Sequence, residues 1–140
     1  MPSMRRAASM GATLVAVVLF AACGEADREA FPLATREPAS NPGGNDAIVL
    51  GVLEVDLDRG CVWLGLEGLR YPVVWPTGAT AEREPFVVHL PGDVEARPGD
   101  HVSGAGGYLP TPPDRPDPCS ETGEVALFNH DSRIEVEPAE

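Results

Sequence analysis

The chain contains no lysine; its ten basic residues are all arginine, set against 22 carboxylates for a formal net charge of −12. A surface this acidic repels phosphate backbones, which argues against a nucleic-acid partner. It also offers no electrostatic attraction to anionic lipid. The missing lysine fits a composition rich in Ala, Gly, Pro and Val, as a GC-rich genome writes it, and by itself marks no site. Helix signals are absent too. After Cys23, no stretch of a dozen residues is free of Pro and Gly and also carries a 3.6-residue apolar period. No apolar run is long enough to cross a bilayer comfortably. There is no twelve-residue calcium loop, and neither a lysine nor a helix start follows the glycines of Gly104–Gly107, which excludes a phosphate loop.

What is present begins with the first 23 residues. Arg5 and Arg6 precede a short apolar core from Gly11 to Ala22, and the small pair Ala21-Ala22 leads directly into Cys23. This is how a secretion signal is built. The cysteine directly after the small pair makes the segment resemble a bacterial lipoprotein signal. That resemblance implies cleavage before Cys23, which becomes the lipid-bearing first residue of the mature chain, held to the outer face of the cell membrane. Cleavage removes 22 of the 140 residues and leaves 118, enough for one compact domain. It also removes two arginines and no acid, so the mature charge is near −14. The lipid must then supply the membrane link.

With Cys23 so assigned, Cys61 and Cys119 remain as an even pair in an oxidising compartment, where one disulfide is the default expectation. A free reactive thiol and a metal pair stay open as alternatives, although neither cysteine has a close Cys or His neighbour in sequence.

Residues 24–45 show no apolar period and repeat Pro, Gly and acids, so they read as a flexible linker that reaches roughly 25 Å. The expected organisation is a signal over 1–22, the lipidated cysteine and linker over 23–45, and a β-domain over 46–140. From Ile48 the chain becomes β-rich. Alternation places Leu53, Val55 and Leu57 on one face, with Glu54 and Asp56 on the other. Asp58-Arg59-Gly60 turns the chain into a second strand, Cys61 to Leu66. Glu67-Gly68 turns it into a third, Leu69 to Trp75, with Tyr71, Val73 and Trp75 on one face. Pro76 to Thr80 breaks the pattern and a charged loop follows. Phe86 to Leu90 is a short strand, Val94 to Arg97 returns, and His101 to Leu109 is a further strand. Its three glycines suggest sharp curvature or close backbone approach. Residues 110–123 hold five prolines and read as an irregular loop without firm packing of its own. Glu124 to Asn129 and Arg133 to Glu137 close the domain. Three meandering strands, a connection and two more strands predict an all-β, five- to six-stranded, OB-like Greek-key barrel.

Three segments carry a resemblance in their order and spacing: Gly60-Cys61-Val62-Trp63-Leu64, Pro72 to Gly78, and Arg97 to Gly107, together with the late Cys119. The chain resembles small actinobacterial lipoproteins with an OB-like barrel over roughly Ile48 to Val136. The resemblance implies a fold and a cell-surface location. It implies no activity and carries no catalytic residue onto this sequence.

Several groupings could carry chemistry. His130, Asp131 and Ser132 are the residue types of a hydrolase triad, but neighbours on an extended chain diverge, and the segment reads as a turn. His89, His101 and His130 could meet at zinc only if three strands shared a face. Glu54, Asp56 and Asp58 have suitable oxygens for calcium but read as a solvated acidic edge. Trp63, Tyr71, Trp75 and Tyr108 could form a stacking face of an OB-like barrel, with core packing as the competing account. The expectation is therefore a non-catalytic interaction or structural module without a cofactor or metal. Its partner would be an envelope protein or a small ligand, with no nucleic acid, and the chain is expected to be a monomer. A small-ligand or metal-binding module is the alternative.

Overall fold

The computed structural model describes residues 29–36 and 45–140; Cys23 and the signal segment lie outside them. The described residues form ten strands and no helix: β1 (Ala30–Phe31), β2 (Ala47–Asp56), β3 (Cys61–Leu66), β4 (Leu69–Val74), β5 (Thr80–Arg83), β6 (Phe86–Leu90), β7 (Val94–Ala96), β8 (His101–Pro110), β9 (Glu124–Phe128) and β10 (Glu135–Glu137).

The β2–β3–β4 meander follows from alternation and turn chemistry. Val49 and Leu53 point into the core, and Glu54 points out. The Asp56 carboxylate accepts the amides of Asp58 and Arg59, both at 3.1 Å, which bends the chain before β3. Glu67 and Gly68 both have positive φ, 52° and 80°, as a two-residue hairpin of matching twist requires.

β8 closes the barrel. One of its edges pairs with β2; the other pairs with β10 over 101–103 and then with β9 over 106–110. β9 also runs parallel to β4, with Val73 opposite Ala126. The ring β2–β3–β4–β9–β8 is thus a closed five-stranded barrel with OB-like strand order, and β10 adds a sixth strand.

The chain between β4 and β8, together with β1 from ahead of the barrel, builds a second sheet, ordered β1–β5–β6–β7. Its apolar side chains Phe31, Ala81, Phe86, Val88 and Ala96 share one core with Val49, Leu64, Trp75 and Phe128 of the barrel. Here the sequence expectation is corrected twice. The break and charged loop after Trp75 contain β5, because Ala81 alone among charged neighbours is enough to face the core. Of the expected flexible linker, residues 29–36 are structured. Phe31 is only 4% exposed and meets Phe86 edge-on at 5.2 Å. A two-residue strand has no period to detect, and one buried aromatic suffices to pin it.

Candidate functional site

The outer face of β2, β3 and β4 is where an OB-like barrel most often meets ligands. Paired residues share a face, so Glu54 lies beside Trp63, Asp56 beside Cys61, and Trp63 beside Pro72. Arg70 lies opposite Gly65 on the same side. Around Cys61 and Trp63 this face is covered by the chain's own loop, residues 111–123, whereas toward the β3–β4 turn Val52, Glu54, Gly65 and Arg70 line an open hollow. Cys61 and Cys119 form a disulfide with Cα atoms 5.6 Å apart. The Trp63 indole N–H donates to the Cys119 carbonyl at 2.7 Å. Arg70 pairs with Glu121. Trp63 is left 1% exposed, with the Arg70 guanidinium 4.2 Å and the Arg59 guanidinium 5.5 Å from its ring centre.

The loop, expected to lack firm packing, is ordered by short polar contacts. The Thr111 amide donates to the Gly123 carbonyl at 2.8 Å and closes the base. The Asp117 carboxylate accepts the Cys119 amide at 2.8 Å, and the Ser120 hydroxyl donates to the Glu124 carbonyl at 2.9 Å. The hydrogen bond from Arg70, helped by its charge and opposed by desolvation, holds the Glu121 carboxyl below its ordinary value. Arg70 is correspondingly raised, first by the same hydrogen bond. This pair contributes stability only above the unfolded carboxylate pKa and loses it as the pH falls through the depressed value. Because the pair is solvent-exposed, the contribution is small.

The four aromatics expected on one ligand face are distributed over three places. Trp63 lies outside the barrel wall beneath the loop. Trp75 is 0% exposed in the core, stacked on Phe128 at 5.7 Å. Tyr71 and Tyr108 touch at 4.8 Å and pack against the core. Strand alternation is the reason: Tyr71 pairs with Leu64 and Tyr108 with Ala126, both inward, whereas Trp63 occupies the opposite phase. Arg59, Arg70 and Glu121 were not singled out in the sequence. Arg59 reaches Trp63 from the β2–β3 turn and Arg70 from the pairing of β4 with β3, whereas Glu121 is brought there by the loop's path, which no local sequence pattern records.

A cleft of about 220 Å³ lies between residues 31–34, the β2–β3 turn and the loop, lined by Leu33, Val62, Pro72, Trp75 and Asp117 among others. The Trp75 indole N–H is buried without a partner.

The other candidate residues lie apart from this face or in turns. Asn129 to Ser132 is a turn, with the Ser132 amide donating to the Asn129 carbonyl at 3.0 Å. The Asn129 amide group exchanges two hydrogen bonds with the Asn45 backbone. His89 lies between Glu82 and Glu95, 3.5 Å from each, on the second sheet. Among the described residues, no group of three or more His, Cys, Asp or Glu is placed to hold a metal. Alanine at His89, His101 or His130 is accordingly expected to change stability by no more than about 0.5 kcal/mol each. Thermal unfolding of the three variants, with and without chelator, checks this; a large loss in every arm would reveal a structural metal.

No family model, curated protein or solved structure matches the chain.

Proposed function

We propose that the protein is a lipid-anchored cell-envelope protein whose stapled barrel is a non-catalytic interaction or structural module. The observation that carries this reading is the cysteine arithmetic. Pairing Cys61 with Cys119 leaves Cys23, directly after Ala21-Ala22, as the one remaining thiol. A disulfide belongs to an oxidising compartment, which agrees with export. The partner is an envelope protein rather than a nucleic acid, since a charge near −14 opposes phosphate contacts. Mass spectrometry of the membrane fraction is expected to find Cys23 diacylated or triacylated at the mature N-terminus. A soluble mature chain beginning elsewhere would reject the anchor.

A second reading, a small-ligand module, is favoured by the cleft beside Trp75, whose walls are about equally polar and apolar and carry the Asp117 carboxylate, which suits a small neutral or cationic molecule. A thermal-shift screen of such molecules tests it, because a ligand of the native state raises the unfolding midpoint.

A further inference from the structure

The segment Glu29–Arg36 is bonded along its length to the domain, first to β5 of the second sheet and then to Trp75 after β4. The Arg83 amide donates to the Glu29 carbonyl at 2.8 Å, and Ala30 and Phe31 pair with Glu82 and Ala81. The Trp75 amide donates to the Ala34 carbonyl at 2.9 Å, the Arg36 amide to the Trp75 carbonyl at 2.7 Å, and the Thr77 hydroxyl to the Arg36 carbonyl at 2.6 Å. With Phe31 in the core, Glu29 is a fixed point on the barrel.

That point lies at a defined end. Arg83, whose amide holds Glu29, also donates through Nη2 to the Leu57 carbonyl at 3.3 Å, where the chain turns toward β3. The other end of the same hairpin is the β3–β4 turn. The six residues of β3 between them span roughly 20 Å.

Cys23 precedes Glu29 by six positions, so even a fully extended chain reaches at most about 20 Å. The 22-residue coil expected from the sequence would instead let the barrel turn freely. We propose that Glu29–Arg36 is an orienting stalk that holds the Asp58–Gly60 end of the barrel toward the lipid headgroups and the Glu67–Leu69 end away from them. The partner surface is the bilayer itself. A net charge near −14 keeps the barrel from lying flat on anionic lipid, so the end that carries the stalk is on average the nearer one. This inference rests on the lipid-anchor reading of Cys23.

The test separates the two ideas by making the anchor chemically. Because Cys61 and Cys119 are bridged, the mature chain from Cys23 can be coupled through that thiol to maleimide-bearing lipid in vesicles of phosphatidylcholine and phosphatidylglycerol. A donor dye is attached through an azido side chain introduced at Asp58 or at Leu69, both exposed. Energy transfer to an acceptor lipid gives each donor's distance from the surface.

The Leu69 donor is expected to lie 10–20 Å, on the order of the β3 length, farther out than the Asp58 donor. Phe31→Asp, which releases the stalk, is expected to move the Asp58 donor outward and to abolish most of the difference. Should that variant fail to fold, twenty Gly/Ser residues inserted between Arg28 and Glu29 leave the core intact and are expected to abolish the difference in the same way. Equal distances for the two donors in the unaltered chain would overturn the stalk, as would a difference that survives the insertion. Neither result bears on lipidation in cells. Conversely, an unlipidated Cys23 in the membrane fraction would overturn the anchor without altering the distances.

Discussion

Replacing both Cys61 and Cys119 by alanine is expected to lower the free energy of unfolding by about 4 kcal/mol. The bridge spans 58 positions, and the chain-entropy model assigns roughly that stabilisation to a loop of this length. For a domain of about 110 residues the midpoint of thermal unfolding should fall by roughly 15–20 °C. Total stabilities of about 5–15 kcal/mol make this a large fraction of the whole. The loss should be accompanied by a local change. Without the bridge, loop 111–123 is held over the outer face by its base, by the hydrogen bonds from Trp63 to Cys119 and from Arg59 to the Pro118 carbonyl, and by the exposed Arg70–Glu121 pair, which contributes little. Trp63, 1% exposed beneath the loop, should gain access to water. Urea unfolding of the oxidised protein and of the double variant measures the first effect, and acrylamide quenching of tryptophan fluorescence at low urea measures the second. A loss below about 1 kcal/mol with unchanged quenching would mean that the loop stays in place without its staple.

The covered face also limits what the fold can say about function. OB-like strand order recurs among proteins that bind oligonucleotides and oligosaccharides, but the order alone carries neither activity. Here the one aromatic that the outer face supplies is hydrogen-bonded to the chain's own loop and flanked by Arg59 and Arg70. A contact that uses Trp63 must first displace this loop, while the Glu54–Arg70 end of the face stays open.

The strands that were legible in the sequence are those with enough length to show a period. β3 begins and ends where alternation and the turns Asp58-Arg59-Gly60 and Glu67-Gly68 place it, and β2, β6 and β8 were found nearly whole. The elements that were missed share one physical property: their place is decided by distant contacts. β1 has two residues and depends on Phe86 for its burial. β5 carries one core residue, Ala81, among charged neighbours. The Pro-rich loop is organised by side chains of Asp117, Ser120 and Thr111 acting on its own backbone, a pattern without periodicity. The four aromatics do not share a face because alternation turns Tyr71, Trp75 and Tyr108 inward and Trp63 outward. The path of the loop over Trp63 is, like the missed strands, a tertiary fact that no local pattern records.

Gly106→Ala is expected to be the most damaging single methyl that can be added to this barrel. Gly106 sits on the β8–β9 seam opposite Phe128, where the ring closes. A Cβ built there would lie 1.9 Å from the Leu127 carbonyl oxygen and 2.9 Å from its carbon, both backbone atoms of a strand paired to β8 and, through β4, to the rest of the ring. Relief therefore requires strand separation rather than a rotamer change. Overpacking ordinarily costs about 1–3 kcal/mol, and a clash against backbone belongs beyond the upper end of that range. Two neighbouring substitutions provide the scale. At Gly104 the new methyl would meet side-chain atoms of Ile134 and Ser132 at 2.8 Å, which can shift, so a loss of about 1–3 kcal/mol is expected. At Gly60 nothing lies within 4 Å, but φ is +69°, so alanine there costs only the left-handed backbone penalty of about 1–2 kcal/mol. Urea unfolding of the three variants should rank Gly106→Ala well above the other two, with loss of the folded baseline if the seam opens. If Gly106→Ala proved as mild as Gly60→Ala, the close approach of β8 and β9, and with it the closure of the barrel at this seam, would have to be abandoned.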